Sequence, residues 1–202
     1  MRSPRLFTVV LVIALQLAAA RVAIPADDSQ APGTAVVEQL QGTLLDVMKN
    51  ADQLGVEGRY AKLEPVITAT HDFDYVTPRV FGEDWKQLSD DQKKTVQDLY
   101  RRASIMTIAR QFDGYHGERF EIIDEKPTSN GERLVRSEMR QPSGDAVHFN
   151  YLLREGDGQW RIINTVYDGV SGVTMDRSRY QPLLQQKGAD ALIAQLRKEA
   201  GQ

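Results

Sequence analysis

The chain contains no cysteine. That excludes disulfides, thiolate metal sites and thiol nucleophiles. It also excludes the lipid-modified cysteine that anchors a lipoprotein. Stability must therefore come from a packed interior, and 202 residues are enough to bury one. Histidine is scarce: His71, His116 and His148 are the only three, far apart in sequence. No HExxH, GxSxG, Walker loop or GxGxxG is present. Gly156-Asp157-Gly158 reads as a turn rather than a phosphate loop. An excess of bases is missing too: 25 Lys and Arg stand against 28 Asp and Glu. That balance argues against nucleic acid as a partner and against electrostatic docking on anionic lipid. Finally, no apolar run reaches the ~20 residues that span a bilayer.

What the sequence does have begins at its first residues. Arg2 and Arg5 make a positive start, Leu6 to Leu17 is apolar apart from Thr8 and Gln16, and Ala18-Ala19-Ala20 supplies small residues. This is the pattern of a secretory signal peptide over residues 1–20, cut just before Arg21. Its removal takes two arginines and no acid, leaving 23 bases against 28 acids and a net charge of −5. Residues 21–34, with ADDSQAPGT at 26–34, read as a flexible leader. Residues 35–202 read as a single domain, without repeats or low-complexity segments.

From residue 35 to 114 the apolar period is helical. Val36, Val37, Leu40, Leu44, Leu45, Val47 and Met48 predict a helix over 35–54 that Gly55 stops. A second follows over 59–70, with Pro65 at its first turn, and a shorter helical stretch over 73–85 is broken by Pro78 and Gly82. Ser89-Asp90-Asp91-Gln92 is a capping box. It opens the longest helix, over 90–113, whose apolar band is wider than one stripe, so that it is either well buried or faces two apolar surroundings. After Gly114 the period becomes two, predicting strands over 118–125, 133–140, 147–154 and 160–167, joined by short turns into an antiparallel meander. Two closing helices, over 175–186 and 189–199, part at Gly188. The architecture is α+β: helices, a four-stranded antiparallel sheet, then helices. If the sheet curves, the space between it and the helices can be a cavity rather than a packed core. Periodicity allows both.

Single residues carry little overt chemistry. His71-Asp72-Phe73-Asp74 sets a histidine between acids at a helix end, which suits metal or acid–base work, or simple capping with solvated acids. His116 falls at a surface turn, and His148 points away from the face that carries Phe149. Glu121, Asp124 and Glu125 fit a solvated edge. Asn164 is the one polar residue among Trp160, Ile162 and Val166. It either anchors a ligand head group or is satisfied by neighbouring backbone.

The segment Gly158-Gln159-Trp160-Arg161-Ile162-Ile163-Asn164-Thr165-Val166-Tyr167-Asp168-Gly169-Val170-Ser171 resembles the signature of the MlaC family, the toluene-tolerance periplasmic lipid carriers. Arg177-Ser178-Arg179-Tyr180, Gly188-Ala189-Asp190-Ala191-Leu192-Ile193 and Leu196 follow the same family order. So do Phe73-Asp74, Phe81-Gly82, Trp85 and Leu88-Ser89 upstream. The resemblance covers about residues 35 to 199. Gly58-Arg59-Tyr60, the QFDGYHGERF run at 111–120 and the Gly-Val-Ser-Gly after the sheet are most similar to the hopanoid-associated branch, HpnM. The chain departs from the family at Asn164, where an Asp is usual.

The resemblance implies a curved-sheet, NTF2-like fold around an apolar cavity. Its walls would be Phe73, Phe81, Trp85, Tyr100, Ile105, Ile108, Phe112, Phe149, Tyr151, Leu153, Trp160, Ile162, Asn164 and Val166. It implies a periplasmic carrier that takes a hopanoid or phospholipid between an inner-membrane transporter and an outer-membrane lipid complex. No cofactor and no catalytic residue is expected. Two other readings remain: a cavity-free periplasmic adaptor or chaperone, and an NTF2-like enzyme, which would need an inward Asp, Glu or His.

Overall fold

The structure is a computed structural model that describes residues 31–202. The expected signal peptide and leader residues 21–30 lie outside the described residues. Among the described residues, no helix is long and apolar enough to cross a membrane.

Two helices form an antiparallel pair, α1 (Pro32–Lys49) and α2 (Ala51–Thr70). The first buries Val37, Leu40, Leu44, Val47 and Met48 along one stripe. It opens at Pro32, earlier than the leader reading allows, because proline's fixed φ suits a first turn. The break between the pair falls at Asn50. Gly55 only kinks α2, adopting φ 56 within it, and Pro65 is accommodated inside. A short α3 (Phe73–Phe81) and a 3-10 turn over Gly82–Gln87 lead to α4 (Asp90–Gln111). The Ser89 capping box forms as the sequence predicts: Ser89 Oγ accepts from Gln92 N, and Gln92 Oε1 accepts from Ser89 N.

The sheet is an antiparallel meander of five strands, not four, in the order β1 (Arg119–Pro127), β2 (Arg133–Arg140), β3 (Ala146–Gly156), β4 (Gln159–Tyr167) and β5 (Val170–Ser171). The fifth strand is two residues long and leads directly into α5 (Gly172–Glu199), which Ser171 caps and Gly188 kinks at φ 78. The two closing helices of the sequence reading are the halves of this one element.

Two bulges curve the sheet. Ile123 is an extra residue in β1 and Ile163 an extra residue in β4. Directly paired residues share a face, so each bulge reverses the alternation beyond it. In β1, Glu125 rather than Asp124 then pairs with Val135 on the inner face. The Glu125 side chain is 3% exposed, which corrects its reading as a solvated edge residue. Its carboxylate accepts from Thr34 N at 2.7 Å and Thr34 Oγ1 at 2.9 Å. A residue of the sheet thus caps the start of α1, where Ala31 brings no capping side chain.

Burial divides into two clusters. One joins α1, α2 and α4 to the sheet through residues such as Val37, Leu63, Ile105, Met106, Tyr151, Leu153 and Ile162. The other joins α3, α4 and α5 through Phe81, Leu99, Tyr100, Tyr180, Leu192 and Leu196. The broad apolar band of α4 serves both. Helix α1 lies against β1, β2 and β4, whereas α4 packs on α2, α3 and α5. The seam between the clusters is where the chain leaves space.

Candidate functional site

The seam holds a cavity of about 660 Å³, within the ~300–1,000 Å³ range of ligand sites. One wall is a single face of α4: Tyr100, Ser104, Thr107, Ile108, Gln111 and Phe112 recur at helical spacing. Leu40, Leu44 and Met48 of α1, one turn apart, form another. The curved sheet supplies Met139, Val147, Phe149, Tyr151 and Ile162, and the head of α5 supplies Val173, Met175, Asp176 and Tyr180. Buried Leu40, Leu44, Ile67, Tyr151 and Ile162 close the inner end. Exposed Gln111, Asp113, His116, Tyr167 and Met175 ring the mouth.

Aromatic rings brace these walls. Phe149 stacks on Tyr151 at 6.1 Å and on Tyr167 at 6.2 Å. Phe73 meets Tyr100 edge-on at 6.2 Å. Such pairs are rigid and apolar, so they present surface without much rotamer entropy to lose.

Eight of the fourteen residues assigned from sequence line the cavity: Phe73, Tyr100, Ile108, Phe112, Phe149, Tyr151, Ile162 and Asn164. The other six sit elsewhere. Phe81 is fully buried in the second cluster, stacked on Trp85 at 6.0 Å. Ile105 and Leu153 are fully buried in the first, and Trp160 packs on its edge beneath the Arg133 guanidinium. Val166 falls beyond the Ile163 bulge and pairs with Asn150, while Thr165 and Tyr167 take the positions opposite Tyr151 and Phe149. Val166 is thereby turned off the inner face, which corrects its reading as inward; for the other five, periodicity identifies an apolar, inward residue but does not say which neighbour it meets.

Asn164 meets the cavity where α5 begins. Its Oδ1 accepts from Ser171 Oγ at 3.1 Å and Val173 N at 3.3 Å, so that acceptor is engaged within the protein. Tyr100 donates from its hydroxyl to Asp176 Oδ2 at 2.6 Å. Burial raises the pKa of both groups, and in Tyr100 the neighbouring Asp176 charge adds to it. Tyr151, also pushed up by burial, to about 12, receives Gln41 Nε2 at 3.4 Å.

His71 is the lining residue that periodicity gave least reason to place here. It ends α2, and Nδ1 lies 3.2 Å from Ile67 O, so it does cap the helix as one sequence reading holds. Its ring also lines the cavity and stacks on Phe73 at 6.0 Å. Burial lowers its pKa to about 4. The neighbouring acids part company. Asp74 is exposed, whereas buried Asp72 caps α3 through Tyr75 N and pairs with Arg154 at 2.7 Å. The signal that might have found His71 is the Phe73 two residues on, which ties this corner to the apolar wall. Among the described residues, no three His, Cys, Asp or Glu side chains gather as a metal site.

Residues 38–198 match the family profile described as MlaC protein. The chain is similar to the intermembrane phospholipid transport system binding protein MlaC of Haemophilus influenzae, at 22% identity over 133 residues, 64% of this chain. That match spans 62% of the relative's length, less than two thirds of it. In three dimensions the chain is similar to a phospholipid-binding protein from Ralstonia solanacearum, solved in complex with a phospholipid. The TM-score is 0.74 at 17% identity, covering 85% of this chain and 98% of that one. At that identity the likeness establishes the fold, a helix-covered curved antiparallel sheet. The family itself follows from a profile match across most of the sequence: the chain belongs to the MlaC family.

Proposed function

We propose that this protein carries an apolar lipid through the periplasm and holds it in the cavity between sheet and helices. The observation that carries the reading is the cavity itself, about 660 Å³ between two packed clusters. Of the sequence-assigned residues, the eight that line it are the proposed lipid contacts. Of the remaining six, Phe81, Trp85, Ile105, Leu153 and Trp160 are proposed to support those walls from behind.

The energetics suit a carrier. Each methylene moved from lipid into water costs ~0.8 kcal/mol, so two acyl chains of about 30 methylenes cost on the order of 20 kcal/mol. Free desorption is then slow. An apolar cavity offsets most of that cost without a reactive group, which supports a transport protein rather than an enzyme. A filled space would have favoured the adaptor reading, and the cavity removes that support. Export rests on the signal pattern of residues 1–20, and cargo exchange is with an inner-membrane transporter and an outer-membrane lipid complex. The relatives' names support a phospholipid; the motifs shared with the hopanoid-associated branch, HpnM, support a triterpenoid.

Transfer of labelled lipid between vesicle populations tests the reading. Wild-type protein accelerates transfer. Phe149→Trp fills the cavity and lowers that acceleration at least several-fold, with little loss of thermal stability. Leu153→Trp overpacks a fully buried site and costs about 1–3 kcal/mol of stability instead. Wild-type protein that leaves transfer at the spontaneous rate refutes the proposal.

A further inference from the structure

The cavity wall carries a ring nitrogen, Nε2 of His71, that the protein leaves without a hydrogen-bond partner. His71 is held firmly there. Its backbone N donates to Ile67 O at 3.0 Å, and the next amide, Asp72 N, donates to Ile162 O at 3.0 Å, bridging the residue to β4. The ring is fixed by its stack on Phe73. Nδ1 faces two oxygens, Ile67 O at 3.2 Å and Thr70 Oγ1 at 3.0 Å. The Thr70 hydroxyl already donates its hydrogen to Val66 O at 2.8 Å. Both oxygens therefore act as acceptors towards Nδ1, which places the ring hydrogen there. In a neutral ring this leaves Nε2 as a bare acceptor. No described residue hydrogen-bonds to it.

The surroundings keep the ring neutral: burial among apolar neighbours depresses the pKa to about 4. Three neighbouring polar groups of the wall are engaged internally. Ser104 Oγ donates to Tyr100 O at 2.8 Å, Tyr100 donates to Asp176, and Asn164 accepts from Ser171 and Val173. A saturated hydrocarbon chain brings no donor to Nε2, and a phosphodiester brings only acceptors. A hydroxyl brings the O–H that an acceptor in an apolar pocket requires.

We infer that the cavity selects a lipid bearing a hydroxyl on the part that enters the protein, with His71 Nε2 accepting its hydrogen bond. The inference rests on the carrier reading and names its cargo more narrowly. Either a polycyclic triterpenoid alcohol or a hydroxylated acyl chain satisfies the chemistry.

The test is competitive binding to the full chain with two matched pairs. One is a pentacyclic triterpenoid alcohol against its parent hydrocarbon. The other is a phosphatidylcholine with a hydroxystearoyl chain against its stearoyl counterpart. The hydroxylated member of at least one pair binds about tenfold more tightly, equivalent to about 1.4 kcal/mol, and the pair that responds identifies the source. His71→Phe erases that difference. The same point is read without any substitution from the ¹⁵N resonance of His71 Nε2, which shifts on binding the hydroxylated lipid and not its partner. Equal binding within both pairs and an unmoved resonance overturn the inference while leaving the carrier reading intact. If none of the four lipids binds, both fall.

Discussion

At the scale of single residues, His71 ties the site to solution conditions. Its pKa is 6.5 when unfolded and about 4 when native. Above pH 6.5 neither state binds the proton, and the stability held by the neutral ring is fully present. Between pH 6.5 and 4 the unfolded chain binds a proton that the native state does not, so stability falls as pH falls. The ceiling of this effect is about 3 kcal/mol. Asp176 works in the opposite direction, because burial raises its native pKa. Subtracting His71→Asn from wild type therefore isolates the histidine. Wild-type unfolding free energy should fall relative to the variant's by about one proton's slope on descending from pH 6.5 to 4; a flat difference contradicts the burial of this ring. The sequence supplied the residue and its place at a helix end. It could not supply the environment, because the β4 residue Ile162 meets His71 only through the tertiary fold.

At the scale of elements, most of the fold was readable because two periods meet cleanly at Gly114. The predicted second strand matches β2 in full, and the Ser89 cap opens α4 where its chemistry places it. What escaped has a common cause. A bulge adds one residue, and one residue turns every later side chain over. The Ile163 bulge moved Val166 out of the inner set, and the Ile123 bulge moved Glu125 into it. Neither bulge is marked by a glycine. The fifth strand escaped differently, since two residues show no alternation. Its turn carries a signal that the sequence reading left unused: Asp168 and Gly169 take φ 47 and 82, the two positive values a tight hairpin asks of an Asp-Gly pair. The Glu125 cap joins α1 to the sheet, and Gly33 must pass beside it, since an added Cβ would lie 3.0 Å from Val135 and 3.1 Å from the Glu125 carboxylate. Glu125→Ala should cost about 0.5–2 kcal/mol and speed amide hydrogen exchange at Gly33 and Thr34 ahead of the rest of α1. Unchanged exchange there would show that the first turn stands without the carboxylate.

At the scale of the whole molecule, the chain builds two cores where a domain of this size commonly builds one. Helix α4 is shared by both, and the sheet enters only the first. The cavity is the geometric remainder of that arrangement. Sequence patterning shows that Phe149, Tyr151 and Ile162 are apolar and inward in the same way whether they meet a neighbour or a void. For that reason the cavity was not legible from periodicity, and only the family resemblance pointed to it. The rigid aromatic walls and closed inner end fit a vessel more than a reaction centre, and the mouth lies where α4, β4 and α5 come close to one another.

The central claim is that this space is filled by lipid. Native mass spectrometry of the protein isolated from periplasm, followed by organic extraction, measures it most directly. The account predicts a mass above that of the polypeptide, one lipid per chain, and a phospholipid or triterpenoid in the extract. Protein that runs at its bare polypeptide mass, and still does so after incubation with lipid vesicles, contradicts it.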